Sequence, residues 1–231
     1  MTSRTAPAAG RLGRSWLIDR PEALPVGAGG LGWALVAAGL ATHSGTGGPA
    51  FHLGTVAVMT VATMAPLAIP VARTVAFASP WWRARRAVVL AFAAFAGTWI
   101  ALASVLHLPA ELLRAAAWPG DILGGLLVAG VAAGAALDPA RRRRLRNCAR
   151  PSAMRDGPGA DHDCARAGAR AALACARLCW PAMLAMLMVP GSWWPMAALS
   201  AAGLAERATA PRARALAPVA YVATAAALVG R

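Results

Sequence analysis

Seven predominantly apolar stretches, most of them close to the length that spans a bilayer, run along this 231-residue chain: Leu24–Thr42, Leu53–Phe77, Val88–Leu108, Ile122–Leu137, Ala171–Val189, Trp194–Ala205 and Leu216–Gly230. A hydrocarbon core about 30 Å thick needs roughly 20 helical residues, or somewhat fewer where the bilayer thins. The sequence is 58% hydrophobic and 14% charged, whereas a soluble domain carries about a quarter charged residues. An aqueous-core domain is therefore a poor reading. The expected fold is all-α, a polytopic transmembrane bundle of seven helices in one membrane domain, 24–231.

The segments between the stretches carry the orientation. His43 to His52 holds no charge, Ser79 to Ala87 holds Arg83, Arg85 and Arg86, and Pro109 to Asp121 is net acidic. Asp138 to Arg170 holds nine Arg against four Asp, and Glu206 to Arg214 three Arg against one Glu. Basic segments alternate with neutral or acidic ones, as the positive-inside rule requires of seven spans with a cytoplasmic N-terminus. A six-span alternative fuses 178–205 into one broken helix, but it leaves Arg207, Arg212 and Arg214 outside. Residues 1–23, with Arg4, Arg11, Arg14 and Arg20, read as a basic cytoplasmic tail before an uncleaved signal-anchor. Residues 138–170 read as a basic cytoplasmic loop, and the expected location is a bacterial inner membrane.

All 23 basic residues are Arg, and the net charge is +14. Such charge attracts nucleic acid or anionic lipid. No aromatic residue is interleaved with Arg141–Arg144 to stack bases, so nucleic acid is not an expected partner. Anionic headgroups are, at about 1 kcal/mol per basic residue near the surface. A second copy of the chain or a partner membrane subunit are the protein partners left open.

Glycine is frequent, and its patterns read as packing. "GAGGLG", Gly27 to Gly32, satisfies a dinucleotide fingerprint literally but follows no strand. Gly120, Gly124, Gly125, Gly130 and Gly134 bring small residues to one helix, which suits close approach within the bundle better than a dimer seam.

No carboxylate falls in the middle of a span, where a proton relay would need one, and no Ser, His and acid constellation stands together. The chain is not expected to be an enzyme. Glu111 and Arg114, at i, i+3 spacing, are expected to pair with each other.

Sulfur is the exception to this chemical silence. In "CARLCWPAMLAM", Cys175, Cys179 and Met183 follow at i, i+4, i+8 and share a helix face, which Met186 continues. Thiolate and thioether select Cu(I), and thiolate alone also serves Zn²⁺. Packing is the competing explanation, because Cys behaves as a small buried hydrophobe and Met fills gaps. Met59 and Met64, five residues apart, point to different sides of another helix, and Met196 opens a third. The four cysteines, at 148, 164, 175 and 179, all fall on the cytoplasmic side, where thiols stay reduced. "DHDC", Asp161 to Cys164, reads as a solvated loop, and His43, His52 and His107 as interfacial polar residues on the outer face.

Several stretches together resemble a bacterial family of predicted metal-binding integral membrane proteins. "MTVATMAPLAIP", Met59 to Pro70, looks like the family's Met-repeat helix ending in Pro. In "RRRRLRNCARP" a basic segment leads into Cys148, Arg150 and Pro151. "CARLCWPAM", Cys175 to Met183, looks like its Cys-rich helix start, and "MAALSAAGLAER", Met196 to Arg207, like the helix that follows. The motif is thinned here. Arg144 stands where a second loop Cys is usual, Leu178 in place of the middle Cys, Arg177 in place of Gly, and Ala171 in place of a His.

The resemblance implies a metal site using the three thiols that remain, Cys148, Cys175 and Cys179, with Met183 extending it. The expected function is binding, and transporting or delivering, a soft transition metal, copper first and zinc second. A non-catalytic membrane scaffold whose cysteines only pack is the alternative.

Overall fold

The computed structural model describes residues 20–39, 49–116, 120–137, 157, 159–188, 193–208 and 216–229. Among them are eight α-helices: α1 Ala23–Ala37, α2 Pro49–Met64, α3 Ile69–Ala78, α4 Ala84–Ala115, α5 Gly120–Leu137, α6 Ala160–Met188, α7 Trp193–Ala208 and α8 Leu216–Val229. The architecture is all-α. Helices fall on each of the seven apolar stretches, and the second stretch supplies two. Pro66 and Pro70 explain that split, because each lacks an N–H for the helical ladder. The chain passes through a 3₁₀ turn, Ala65–Ala68, before resuming as α3.

Among the described residues two segments are long and apolar enough to cross a membrane, Gly54–Ala78 with 25 residues and Ala84–Leu113 with 30, and a third if the two halves of α6 count as one. Ala23–Ala37, Ile122–Gly134 and Trp194–Ala205 are shorter apolar helices. Helix α6 ends at Met188 and α7 starts at Trp193; residues 189–192, on which the six- and seven-span readings differ, lie outside the described residues.

Two local expectations are corrected. Helix α4 does not stop before Pro109 but runs through it to Ala115. Glu111 Oε1 lies 3.2 Å from His107 Nε2, one turn back, and the side chain of its expected partner Arg114 lies outside what is described. The supposed loop 138–170 is helical from Ala160 onward, so "DHDC" is the first turn of α6 and not a solvated loop. Asp161 and Asp163 there suit the positive end of the helix dipole.

The backbone of the bundle is α4 against α6. Ala87, Ala91, Phe95, Trp99 and Ala103 recur every fourth residue on α4 and are all essentially inaccessible. They face an α6 ridge of Ala160, Cys164, Gly168, Ala172 and Ala176, also spaced by four and all buried. The ridges match in spacing, and where small residues meet, Ala91 against Gly168, the two helices approach until their backbones nearly touch. Cys164 is one of these packing residues. A β-carbon on Gly168 would stand 2.0 Å from the Ala91 carbonyl oxygen, so only glycine fits at this crossing. The first helix docks in the same way. A β-carbon on Gly32 would lie 2.9 Å from the Ala62 backbone, and Gly29 lies under Pro66. Within the glycine run at 27–32, Gly29 and Gly32 thus serve packing, as expected, while Gly27 and Gly30 face outward. On α5, Gly124 and Gly125 are buried within the chain, while Gly130 faces outward.

Ion pairs tie helix ends. Arg73 Nε donates to Glu22 at 3.3 Å, joining α3 to the residue before α1. Arg83 and Arg86, at the start of α4, both clasp Asp161 at the start of α6. The Arg83 hydrogen bond holds the Asp161 carboxyl below the usual carboxylate range, against the opposing effect of its burial. A carboxylate with a depressed folded pKa stabilises the fold above its unfolded pKa, and that contribution is lost as pH falls through the folded value. Asp161→Asn should therefore lower the thermal midpoint in detergent at pH 7. The gap to wild type should close below about pH 4. An unchanged gap at acid pH would mean that Asp161 acts through something other than its charge.

Candidate metal centre

The thiol pair is built by a proline. Pro181 inside α6 cannot donate to the carbonyl of Arg177, and its ring crowds that carbonyl. The helix bends there, and its halves Ala160–Arg177 and Cys179–Met188 meet at 74°. Cys175 lies just before the break and Cys179 just after it. Cys175 is fully buried and Cys179 half-buried. Their Sγ atoms are 3.7 Å apart, with the Cys175 thiol donating to Cys179. That is well beyond the roughly 2.05 Å of a disulfide. Arg177, between them in sequence, is exposed.

This separation limits what the pair can hold. An ion about 2.3 Å from each sulfur would subtend an angle of about 107° at their 3.7 Å spacing. The pair therefore offers two corners of a bent, trigonal or tetrahedral shell, and such a shell needs a further ligand. Among the described residues no third His, Cys, Asp or Glu gathers with the pair. Cys148, the third thiol expected, lies outside the described residues.

Thioethers stand next along the same helix. Met183, one turn beyond Cys179, is buried and lines a small cavity together with Met186 from α6, Met59 from α2 and Met196 from α7. The cavity measures about 20 Å³, room for one water-sized sphere. Val56 and Leu187 complete its apolar walls, and Thr60 and Thr63 are its hydroxyl residues. Thr63 donates its hydroxyl proton to the Met59 carbonyl at 2.9 Å, one turn back along α2. Met64, as its spacing implied, does not join the cavity but packs in the core.

Of the four site residues read from the sequence, Cys175, Cys179 and Met183 thus fall on one stretch of α6. Met59 and Met196 were visible only as isolated methionines, because nothing in a linear sequence says that α2 and α7 face α6 here. The other clusters weighed are used otherwise. Asp161 serves the arginine clasp, Cys164 packs against α4, His162 is exposed, and His107 holds Glu111. His43 lies outside the described residues.

A model of the copper chaperone family PpoB2 matches residues 53–230. The chain belongs to this family. No curated protein and no solved structure matches it. The match to the PpoB2 copper chaperones leaves out α1 but takes in every cysteine and every cavity methionine. A copper-related role agrees with the donor set, which is thiol and thioether throughout and so of the kind that selects Cu(I).

Proposed function

We propose that this chain is a multi-pass, non-enzymatic protein of the bacterial inner membrane that binds Cu(I) and delivers it onward. The observation that carries the reading is the Cys175–Cys179 pair at the Pro181 bend, 3.7 Å apart, with Met183 one turn beyond on the same helix. A membership shared with copper chaperones supports the cargo. Copper here is substrate rather than resident cofactor, so a site open to exchange suits the task better than a closed cage. Zn²⁺ is the second candidate for the thiols, and Cys148 from the basic segment is a further ligand consistent with the angle at the pair.

Seven spans with a cytoplasmic N-terminus remain the proposed topology, with the fifth over Ala171–Val189. Two ion-pair clusters support it. Glu22 with Arg73, and Asp161 with Arg83 and Arg86, gather helix ends that the charge pattern assigns to one and the same side, the cytoplasmic one. Phe77, Trp81 and Trp82 are exposed beside those arginines, at the turn between α3 and α4. Exposed indoles next to basic residues are what a protein places at the headgroup level of the inner leaflet. Short α1, α5, α7 and α8 would cross by locally thinning the bilayer or by lining the bundle interior.

Two measurements test these readings. Detergent-purified full chain should take up Cu(I) in competition with a chromogenic chelator, and far more weakly take up Zn²⁺; no Cu(I) uptake would end the copper reading. In a cysteine-free background, Ser44→Cys should react with an impermeant maleimide in intact cells, and Arg142→Cys only after permeabilisation. The reverse pattern would overturn the orientation.

A further inference from the structure

We propose that Met59, Met183, Met186 and Met196 form a second, thioether-only site for a soft monovalent cation, Cu(I), one helical turn outward of the thiol pair. The inference rests on the copper reading above and adds a station to it.

Eight methionines occur in the chain, six of them within the described residues, and four of those six line one cavity from three helices. Packing alone gives no reason for that convergence. Methionine is the side chain that best fills irregular gaps, yet here four surround a gap that stays open to one water-sized sphere. The space is large enough for a single ion and too small for an organic ligand.

The donor chemistry narrows the cation. Thioethers are neutral and soft, so they favour Cu(I) and its analogue Ag(I) over Zn²⁺ or Mg²⁺. Neutral ligands leave the full ionic charge in an apolar setting, and the cost of burying an ion rises with the square of its charge. A divalent ion is therefore disfavoured about fourfold more strongly than a monovalent one by that effect alone. No carboxylate or imidazole lines the cavity to offset it. The Thr63 hydroxyl proton is already committed to the Met59 carbonyl.

Position supplies an independent argument. From Cys179 to Met183 the helix rises about 6 Å. In the topology drawn from loop charges alone, α2 enters from the outer face near Met59, α6 reaches that face after Met186, and α7 leaves it near Met196. Three positions assigned separately to the outer half of the membrane prove to line one cavity. The thiols lie on the cytoplasmic side of it. Sulfur ligands thus run inward to outward along α6, thiols first and thioethers beyond, where an oxidising exterior cannot join them into disulfides.

The test uses the full chain in detergent with Ag(I), which has no second oxidation state to complicate the titration. The variant Cys148→Ser/Cys164→Ser/Cys175→Ser/Cys179→Ser should still bind about one Ag(I), as expected if the thioether cavity is a separate site. Adding Met59→Leu and Met196→Leu, which conserve volume and should keep the fold, is expected to weaken that binding at least tenfold. X-ray absorption on the Cu(I)-loaded cysteine-free chain should show sulfur neighbours only. If that variant fails to fold, the methionine pair is replaced in the native chain, and the bound Ag(I) should drop by one equivalent. No binding to the folded cysteine-free chain, or binding indifferent to the methionines, overturns the second site while leaving a thiol site standing. Absence of Cu(I) and Ag(I) binding in the native chain would remove both.

Discussion

Gly168→Ala is expected to be the most damaging single-methyl change in the protein. The added carbon would sit 2.0 Å from the Ala91 carbonyl oxygen and 2.8 Å from its carbonyl carbon. These are backbone atoms of α4, fixed by the helical ladder, so no flexible side chain can swing aside. The two helices would have to separate along the whole ridge of buried residues from Ala87 to Ala103. Overpacking of this kind typically costs about 1–3 kcal/mol, and an obstruction by backbone belongs at or above the top of that range. For a chain of this size that is a loss of roughly 6–12 °C in melting temperature. Gly97→Ala is the matched control. It lies on the facing helix α4, points outward, and its β-carbon would meet nothing within 4 Å. Alanine there should be neutral or slightly stabilising, because glycine in a helix interior costs about 0.5–1 kcal/mol relative to alanine. Equal melting temperatures for the two variants in the same detergent would contradict the close crossing of α4 and α6.

The second large effect is chemical. Cys175→Ser with Cys179→Ser should weaken Cu(I) binding at the thiol site by more than about 100-fold, since even changes in the outer shell of a metal site cost 10–100-fold. Serine nearly preserves volume but replaces a soft donor with a hard one, so the fold should survive while the affinity does not. Each single variant should fall between wild type and the double variant. One remaining thiol still leaves one strong ligand. Cys164→Ser provides the contrast. It lies 11 residues before Cys175, roughly 16 Å along the helix, on the ridge that packs against α4. Its loss should leave Cu(I) affinity within about twofold of wild type, apart from any change in stability. A Cys164 variant as deficient in copper as the 175/179 pair would relocate the site to the base of α6. Competition against a calibrated Cu(I) chelator separates these outcomes directly.

How far the linear chain goes can be judged residue by residue. The apolar stretches locate the helices because a helix needs only its own backbone hydrogen bonds and an apolar surround. The proline pair at 66 and 70 marks the break between α2 and α3 for a reason equally local. The i, i+4 spacing of Cys175 and Cys179 places both thiols on one face, and the structure brings them to 3.7 Å. Local rules fail where a helix is held by a neighbour. Residues 160–170 carry Asp161, His162, Asp163, Arg166 and Arg170, and their four-residue period, Ala160, Cys164 and Gly168, is of small side chains rather than large apolar ones, yet they form the first three turns of α6. What supports them is the arginine clasp on Asp161 and the buried ridge against α4. Pro109 reads as a stop signal, yet α4 continues to Ala115.

Sequence by itself determined the all-α class, the apolar helical stretches, the alternation of basic and neutral segments, and the soft thiol pair with Met183 beyond it. All of these depend on composition and on periods of a few residues. Only the tertiary structure decided which methionines belong together. Met59, Met183, Met186 and Met196 are spread over more than half the chain, and their meeting depends on how α2, α6 and α7 are arranged around one cavity. That arrangement depends on glycine and alanine contacts elsewhere, at Gly32 against Ala62 and Gly168 against Ala91, where the absence of a side chain sets how near two backbones can come. Van der Waals fit between distant segments has no linear period, and so it leaves no pattern in the sequence to be read.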